Sequence, residues 1–275
     1  MKFNRKRMWS IARSDLRQLK ESPDFWAPML LMATLFFVVI PTALLFGITH
    51  LGNVQSIQKV STALDLLPRQ AQEAVQGAGP ADRTSYALAV YLFAPLAVIV
   101  PLTISTAVGA NTLVGERERG TGDFLAHSPA SEREIYLGKL IASLLPGYVT
   151  TLVGFGIYAL AVNLIVGPKV GGWFFPTADW WVLMLWVIPP FLAITLSVVL
   201  RLSARVKSAA AAQQASGLVS LPLIVLSYAL SSGAITSAGG AGLVVGTLAW
   251  LAAGLGLLRG ARAVTRPRLL GVDAQ

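Results

Sequence analysis

The sequence contains no cysteine, and only two of its 275 residues are histidine. The lack of cysteine excludes disulfide scaffolds, thiol catalysis, iron–sulfur clusters and cysteine-ligated zinc. The two histidines lie far apart and cannot form an HExxH zinc site. The phosphate-binding pattern GxxxxGK[ST] is missing too, because Gly138-Lys139 is followed by Leu140 and Arg133 stands where the first glycine would be. We therefore expect neither a catalytic centre nor a bound cofactor in this chain.

Charged residues are scarce as well, at 13% of the chain, whereas 55% of the residues are hydrophobic. Soluble domains average about 25% charged residues, so this composition excludes an ordinary soluble domain and a disordered chain. The net charge of +9 could suggest nucleic acid. However, the basic residues fall in short gaps between long apolar runs, which is typical of the flanks of membrane helices. We expect an all-α polytopic membrane protein that binds no nucleic acid.

Six apolar segments are each long enough to cross the roughly 30 Å of bilayer hydrocarbon. They lie near 25–49, 86–114, 138–166, 179–200, 215–235 and 240–258. This six-helix transmembrane domain, 25–258, follows an N-terminal segment at 1–24 and precedes a basic tail at 259–275. The stretch 229–241 is either a short loop between the last two spans or a re-entrant turn.

The distribution of basic residues predicts the orientation. Eighteen of the 22 lysines and arginines lie in the segments 1–24, 115–139, 201–214 and 259–275. The positive-inside rule predicts that both termini are cytoplasmic, and we expect a multi-pass protein of the cell membrane. No ionisable side chain is predicted at mid-membrane depth, which disfavours an ion-coupled secondary carrier.

Residues 4–22 have the pattern of an amphipathic helix. Trp9, Ala12, Leu16 and Leu19 fall on one stripe, and most of the basic residues lie off it. Such a helix either lies in the membrane interface with its cations toward lipid phosphates or simply anchors the first span. Ser22-Pro23-Asp24 is expected to end it.

Prolines within five of the six predicted spans indicate kinks. They are Pro28, Pro41, Pro95, Pro101, Pro146, Pro189, Pro190 and Pro222. In the last span, Gly242 and Gly246 form a GxxxG pair that predicts close helix packing, either within one chain or between two.

The segment 115–139, between the second and third spans, carries most of the local information. A mixed-charge run extends the second helix: Glu116 and Arg119 lie three residues apart with Arg117 and Glu118 beside them, and exposed pairs among these four are expected to stabilise the helix end. Gly120 then breaks the helix, and Thr121 is expected to cap a new helix of about six residues that ends at Ser128-Pro129. Ser131 and Glu134 have the spacing of a capping box that starts the third span.

The short helix presents Phe124 and Leu125 where a cytosolic loop is usually polar. A helix of this length is not stable in water on its own. Its two apolar residues either fold back onto the helix ends as a tight connector or dock in a groove of a cytosolic partner. The residues alone leave both possibilities open.

The segment resembles the signature of the ABC-2 type transporter permease family. That signature has an E-[RK]-x-x-G-T run, a short apolar helix, a proline and an E-x-x-x-G-K start to the third span. The matching residues are Glu116-Arg117, Gly120-Thr121, Phe124-Leu125, Pro129, Glu134 and Gly138-Lys139. Gly122-Asp123 departs from the Leu-Glu that is usual after Gly-Thr.

The resemblance implies the membrane half of an ATP-driven exporter. Two copies, or this chain and a homologous permease, would form the pathway, and two cytosolic ABC ATPase subunits would bind ATP and Mg²⁺. The residues implied in ATPase coupling are Glu116, Arg117, Glu118, Arg119, Gly120, Thr121, Phe124, Leu125 and Pro129. The alternatives are a membrane scaffold or assembly subunit that transports nothing, and a secondary carrier.

Overall fold

All the regular elements that the structure describes are helices. The structure is a computed structural model that describes residues 3–51, 69–206, 208, 210–218, 221 and 240–260. Within this part of the chain, five helices are long and apolar enough to cross a membrane. The protein is therefore an all-α polytopic membrane protein, as predicted. Most of the predicted span at 215–235 lies outside the described residues.

The helices follow one another with short connections. In chain order they are α1 Arg5–Glu21, α2 Pro23–His50, α3 Arg69–Ala74, α4 Pro80–Glu116, α5 Gly122–Ala126, α6 Glu132–Ile165, α7 Gly167–Val170, α8 Ala178–Ser203 and α9 Ala241–Gly260. Residues 210–218 are also helical. Helices α2, α4, α6, α8 and α9 are the five candidate spans.

Helix α6 begins six residues before the predicted start of the third span. The Ser131–Glu134 capping box forms as predicted and starts the helix at Glu132. With 34 residues, α6 is about 51 Å long, whereas the hydrocarbon core is about 30 Å thick. Its first turns therefore lie beyond the hydrocarbon, on the side where α1 and α5 lie. We call this side the basic end.

Helices α4 and α8 form the centre of the bundle. Both are largely buried, whereas α2, α6 and α9 each present apolar side chains outward. Glycine permits two of the closest approaches: a Cβ at Gly147 of α6 would overlap Ser105 of α4, and a Cβ at Gly246 of α9 would overlap Trp186 of α8. Gly246 of the predicted GxxxG pair therefore packs within the chain.

Three of the spans contain a π-helical turn just before a proline. These turns are Leu35–Val39, Leu88–Leu92 and Leu183–Val187, and the prolines are Pro41, Pro95 and Pro189. Proline has no N–H to give to the carbonyl four or five residues earlier. Side chains supply two of the missing donors: Trp180 Nε1 donates to the Val90 carbonyl at 2.9 Å, and the Tyr148 hydroxyl donates to the Met184 carbonyl at 3.0 Å.

Candidate functional site

The segment 115–139 folds into a helix end, a short helix and a helix start at the basic end. Gly120 has φ +70°, which ends α4, and the Thr121 N–H donates to the Glu116 carbonyl at 2.9 Å. This is the bond of a glycine-terminated helix. Helix α5 then covers only five residues, Gly122–Ala126. The sequence thus predicts the order of these elements correctly.

Thr121 lies at the N-cap position of α5 but does not cap it. Its backbone is helical, at φ −91° and ψ −7°, whereas a capping side chain requires an extended residue. The hydroxyl instead donates to the carboxylate of Glu116. The predicted cap is therefore wrong, and Thr121 ties the short helix back to the end of α4.

Lys139 is the centre of a buried ion-pair cluster. Its side chain is 2% exposed, and its Nζ lies 2.7 Å from Glu116 Oε1 and 2.9 Å from Asp15 Oδ1. We call Asp15, Glu116 and Lys139 the ion-pair cluster. It joins α1, α4 and α6, because each helix contributes one of the three side chains.

The predicted surface pairing is wrong for Glu116, which pairs with Lys139 instead, whereas the pairing predicted for Arg117 and Glu118 stays a prediction. The last turn of α4 faces α6, so that Glu116 points inward to Lys139, whereas Arg119 is exposed. Burial also raises the pKa of the Asp15 carboxyl above 3.8, and the Lys139 ammonium opposes this shift. No described residue donates a hydrogen bond to the buried Oδ2 of Asp15.

Helix α1 is fastened to the start of α6 at further points. The buried carboxylate of Glu134 accepts hydrogen bonds from the backbone N–H of Asn4 at 2.6 Å and of Ser131 at 2.8 Å. Arg7 donates to the Pro129 carbonyl at 2.8 Å. These contacts fix α1 across the connection between α5 and α6.

The two helices also touch at the backbone. A Cβ at Gly138 would lie 2.9 Å from the carbonyl oxygen of Met8. The inward face of α1 is centred on Ala12 and Asp15, and Trp9, which is predicted on the same stripe, is 46% exposed. Trp9 lies at the edge of the stripe because the packed face is rotated toward Asp15.

The two apolar residues of α5 have different environments. Phe124 is 80% exposed. Leu125 is half-buried and packs against a cluster of buried residues that includes Ala126, Ala130 and Ile135. Leu125 thus folds back as the connector interpretation predicts, whereas Phe124 projects outward.

Four further residues of the predicted site, Glu118, Arg119, Gly120 and Pro129, are exposed. The neighbouring Asp123 and His127, which the sequence did not assign to the site, are exposed as well. The side chain of Arg117 lies outside what the structure describes.

Sequence reasoning did not assign a role to Asp15, Asn4 or Lys139 as an ion-pair partner. One signal was available for Asp15: it is the only acidic residue between Arg5 and Lys20, and it lies three residues after Ala12 and four before Leu19. A lone carboxylate on the apolar stripe of a basic helix indicates a buried cationic partner.

Comparison with known proteins identifies the family of the chain. A search of curated proteins found no match. A family model described as ABC-2 family transporter protein matches residues 9–251. The match includes most of α1, the whole of the segment 115–139 and the first four described spans. The chain therefore belongs to the ABC-2 transporter family and is a membrane permease of an ABC transporter.

Proposed function

We propose that this permease forms half of the substrate pathway of an exporter and is driven by two cytosolic ABC ATPase subunits. A second copy, or a homologous permease, completes the pathway. The ATPase subunits bind ATP and Mg²⁺, and this chain contributes neither a catalytic residue nor a cofactor. Both termini are cytoplasmic in the cell membrane, so the basic end faces the ATPase, as the distribution of lysine and arginine supports.

The exposure of Phe124 is the observation that carries the proposal. An aromatic side chain that is 80% exposed on a five-residue helix is suited to a groove of a partner, and its burial could contribute about 1.5–3 kcal/mol. The helix is too short to be stable alone. It is held in place by the Gly120 turn, by Leu125 and by the start of α6.

The contacts between α5 and the rest of the chain can transmit a movement of α5 to the spans. Helix α5 leads directly into α6, and the ion-pair cluster ties α6 to α1 and α4. A displacement of α5 by a closing ATPase would therefore move three helices together as a rigid body. The charged residues of the described spans lie near the helix ends, which favours an apolar or amphipathic substrate over a metal ion.

Replacing Phe124 by Ser tests the proposal, with Leu125→Ser as the matched control. Phe124→Ser should release the ATPase subunits during purification in detergent and leave the melting temperature of the isolated permease unchanged. Leu125→Ser should lower that melting temperature, because Leu125 packs within the chain. If Phe124→Ser lowers the melting temperature and the ATPase stays bound, α5 is only a connector. A wild-type permease that retains no ATPase subunit would favour the scaffold or carrier alternatives.

A further inference from the structure

An open groove separates α1 from the first and third described spans, α2 and α6. It has a volume of about 620 Å³, within the range of about 300–1,000 Å³ that is typical of sites for small organic ligands. Its walls are mainly apolar and include Leu16, Met29 and Val149. Lys20 is the one charged side chain among the described residues that line it.

The groove lies where the basic end enters the hydrocarbon. On α2 it is lined by residues within the first eight positions, including Trp26, whose indole is 41% exposed. Tryptophan is enriched at this depth of a membrane. On α6 the lining begins at Leu145, seven residues and thus about 10 Å beyond the contact of Gly138 with α1. Helix α1 contributes Leu16, Leu19 and Lys20 to the lining.

We propose that this groove binds one anionic phospholipid of the leaflet at the basic end, with an acyl chain between α2 and α6 and the phosphate at Lys20. The neighbouring outward side chains Leu31 and Val153 are 70% and 59% exposed. The groove therefore opens toward lipid and not toward a soluble protein.

The charge of α1 selects the headgroup. Lys20 is exposed and forms no ion pair with a described residue. Arg13 and Arg17 on the same helix are also exposed and add to the positive potential. A lysine near an anionic lipid surface strengthens binding on the order of a few-fold. A zwitterionic headgroup has no net charge and does not gain this attraction. The bound lipid would contact α1, α2 and α6 and hold α1 on the spans beside the ion-pair cluster.

Lipid binding by the purified full-length chain tests this site. Phosphatidylglycerol should raise the melting temperature more than phosphatidylcholine with the same acyl chains does. It should also be the lipid that native mass spectrometry finds bound to the chain. Lys20→Ala should weaken phosphatidylglycerol binding about fivefold, on the order expected for one lysine at an anionic surface. Lys6→Ala is the matched control, because Lys6 is an exposed lysine of the same helix that does not line the groove. If Lys6→Ala weakens binding as much as Lys20→Ala, the attraction is diffuse and the site is wrong.

A second pair of variants tests the acyl chain independently of charge. Val149→Trp fills the groove from a position that is already 51% exposed and should abolish the phosphatidylglycerol-specific stabilisation; retention of that stabilisation would overturn the proposal.

Because the chain has no cysteine, a fluorophore can be attached at Val149→Cys or, as a control, at Leu160→Cys, which is 52% exposed elsewhere on α6. When phosphatidylcholine is added in excess, quenching of the fluorophore by brominated phosphatidylglycerol should persist at Val149→Cys and should be lost at Leu160→Cys. Disulfide cross-linking of two chains through Val149→Cys would instead assign the groove to a second copy.

Discussion

Lys139 shows how a single buried charge can fix the arrangement of three helices. An ammonium that is 2% exposed requires carboxylate partners, because an unpaired buried charge is strongly unfavourable. Asp15 and Glu116 satisfy it only when α1, α4 and α6 meet in one register. A buried ion pair does not by itself make a protein more stable than apolar packing would, but removing one partner destabilises it. We therefore expect the cluster to specify geometry more than stability.

The two carboxylates of the cluster should not be equivalent. Glu116 accepts from both Lys139 and Thr121, whereas Asp15 has a buried oxygen that receives no hydrogen bond from a described residue. Glu116→Gln should lower the free energy of unfolding by about 1.5–3 kcal/mol, as for the loss of a hydrogen bond to a charged group. Asp15→Asn should change it by less than about 1 kcal/mol, because it also removes a costly buried charge. Thermal unfolding of the purified variants measures both, and equal losses would show that the carboxylates act alike.

The pH dependence of stability provides a separate check on Asp15. Burial raises its pKa above 3.8, so the folded chain keeps a proton that the unfolded chain has already lost. The stability contributed by this proton is complete below pH 3.8 and is lost as the pH rises through the raised pKa. Asp15→Asn should therefore gain stability relative to wild type as the pH rises through this window. A relative gain on acidification would mean that attraction by Lys139 outweighs the effect of burial.

At the scale of helices, the π turns explain how spans rich in proline remain hydrogen-bonded in lipid. The carbonyls of Val90 and Met184 each lie five residues before a proline, so the π-type bond that would satisfy them has no donor. Unsatisfied carbonyls are costly in hydrocarbon. Trp180 and Tyr148 supply the donors, so Pro95 and Pro189 each depend on a particular aromatic residue. Tyr148 bonds α6 to α8, whereas Trp180 bonds α8 to α4.

The Tyr148 contact can be tested by removing one oxygen atom. Tyr148→Phe should destabilise the permease by about 1 kcal/mol, because the Met184 carbonyl then lacks its donor. Tyr86→Phe is the control, since Tyr86 is a buried tyrosine of α4 whose hydroxyl bonds to no described residue. Melting temperatures compare the two variants. A loss as large for Tyr86→Phe would show that the effect comes from packing and not from the hydrogen bond.

The elements that could be predicted from the sequence are those determined by near neighbours. Gly120 ends a helix, and Ser131 with Glu134 starts one, through contacts within a few residues. The Asp15–Lys139 pair joins residues 124 positions apart. Nothing in the local pattern identifies which of the many lysines and arginines pairs with Asp15. The roles of Phe124 and Leu125 depend on which side of a five-residue helix meets the bundle, so tertiary packing decides them.

At the scale of the whole molecule, the orientation in the membrane is the main prediction still to be tested. Introduced cysteines can be labelled individually, because the chain has none of its own. Glu73 and Asp123 are both exposed. Cysteine at Glu73 should react with an impermeant maleimide in intact cells, and cysteine at Asp123 should react only after the membrane is opened. The reverse result would put the basic end outside the cell and exclude the proposed contact with ATPase subunits.

The length of α6 makes the permease sensitive to the thickness of its bilayer. After Lys139 the helix continues for another 26 residues, about 39 Å, so a hydrocarbon core of about 30 Å leaves the ion-pair cluster a short distance outside. A thicker membrane, or a more tilted α6, would bring these charges closer to the hydrocarbon, where they are costly. A more upright α6 relieves this mismatch because its length along the membrane normal increases, and this change of tilt also moves α5 and Phe124. The angle at which this permease meets its partner is thus set in part by the surrounding lipid.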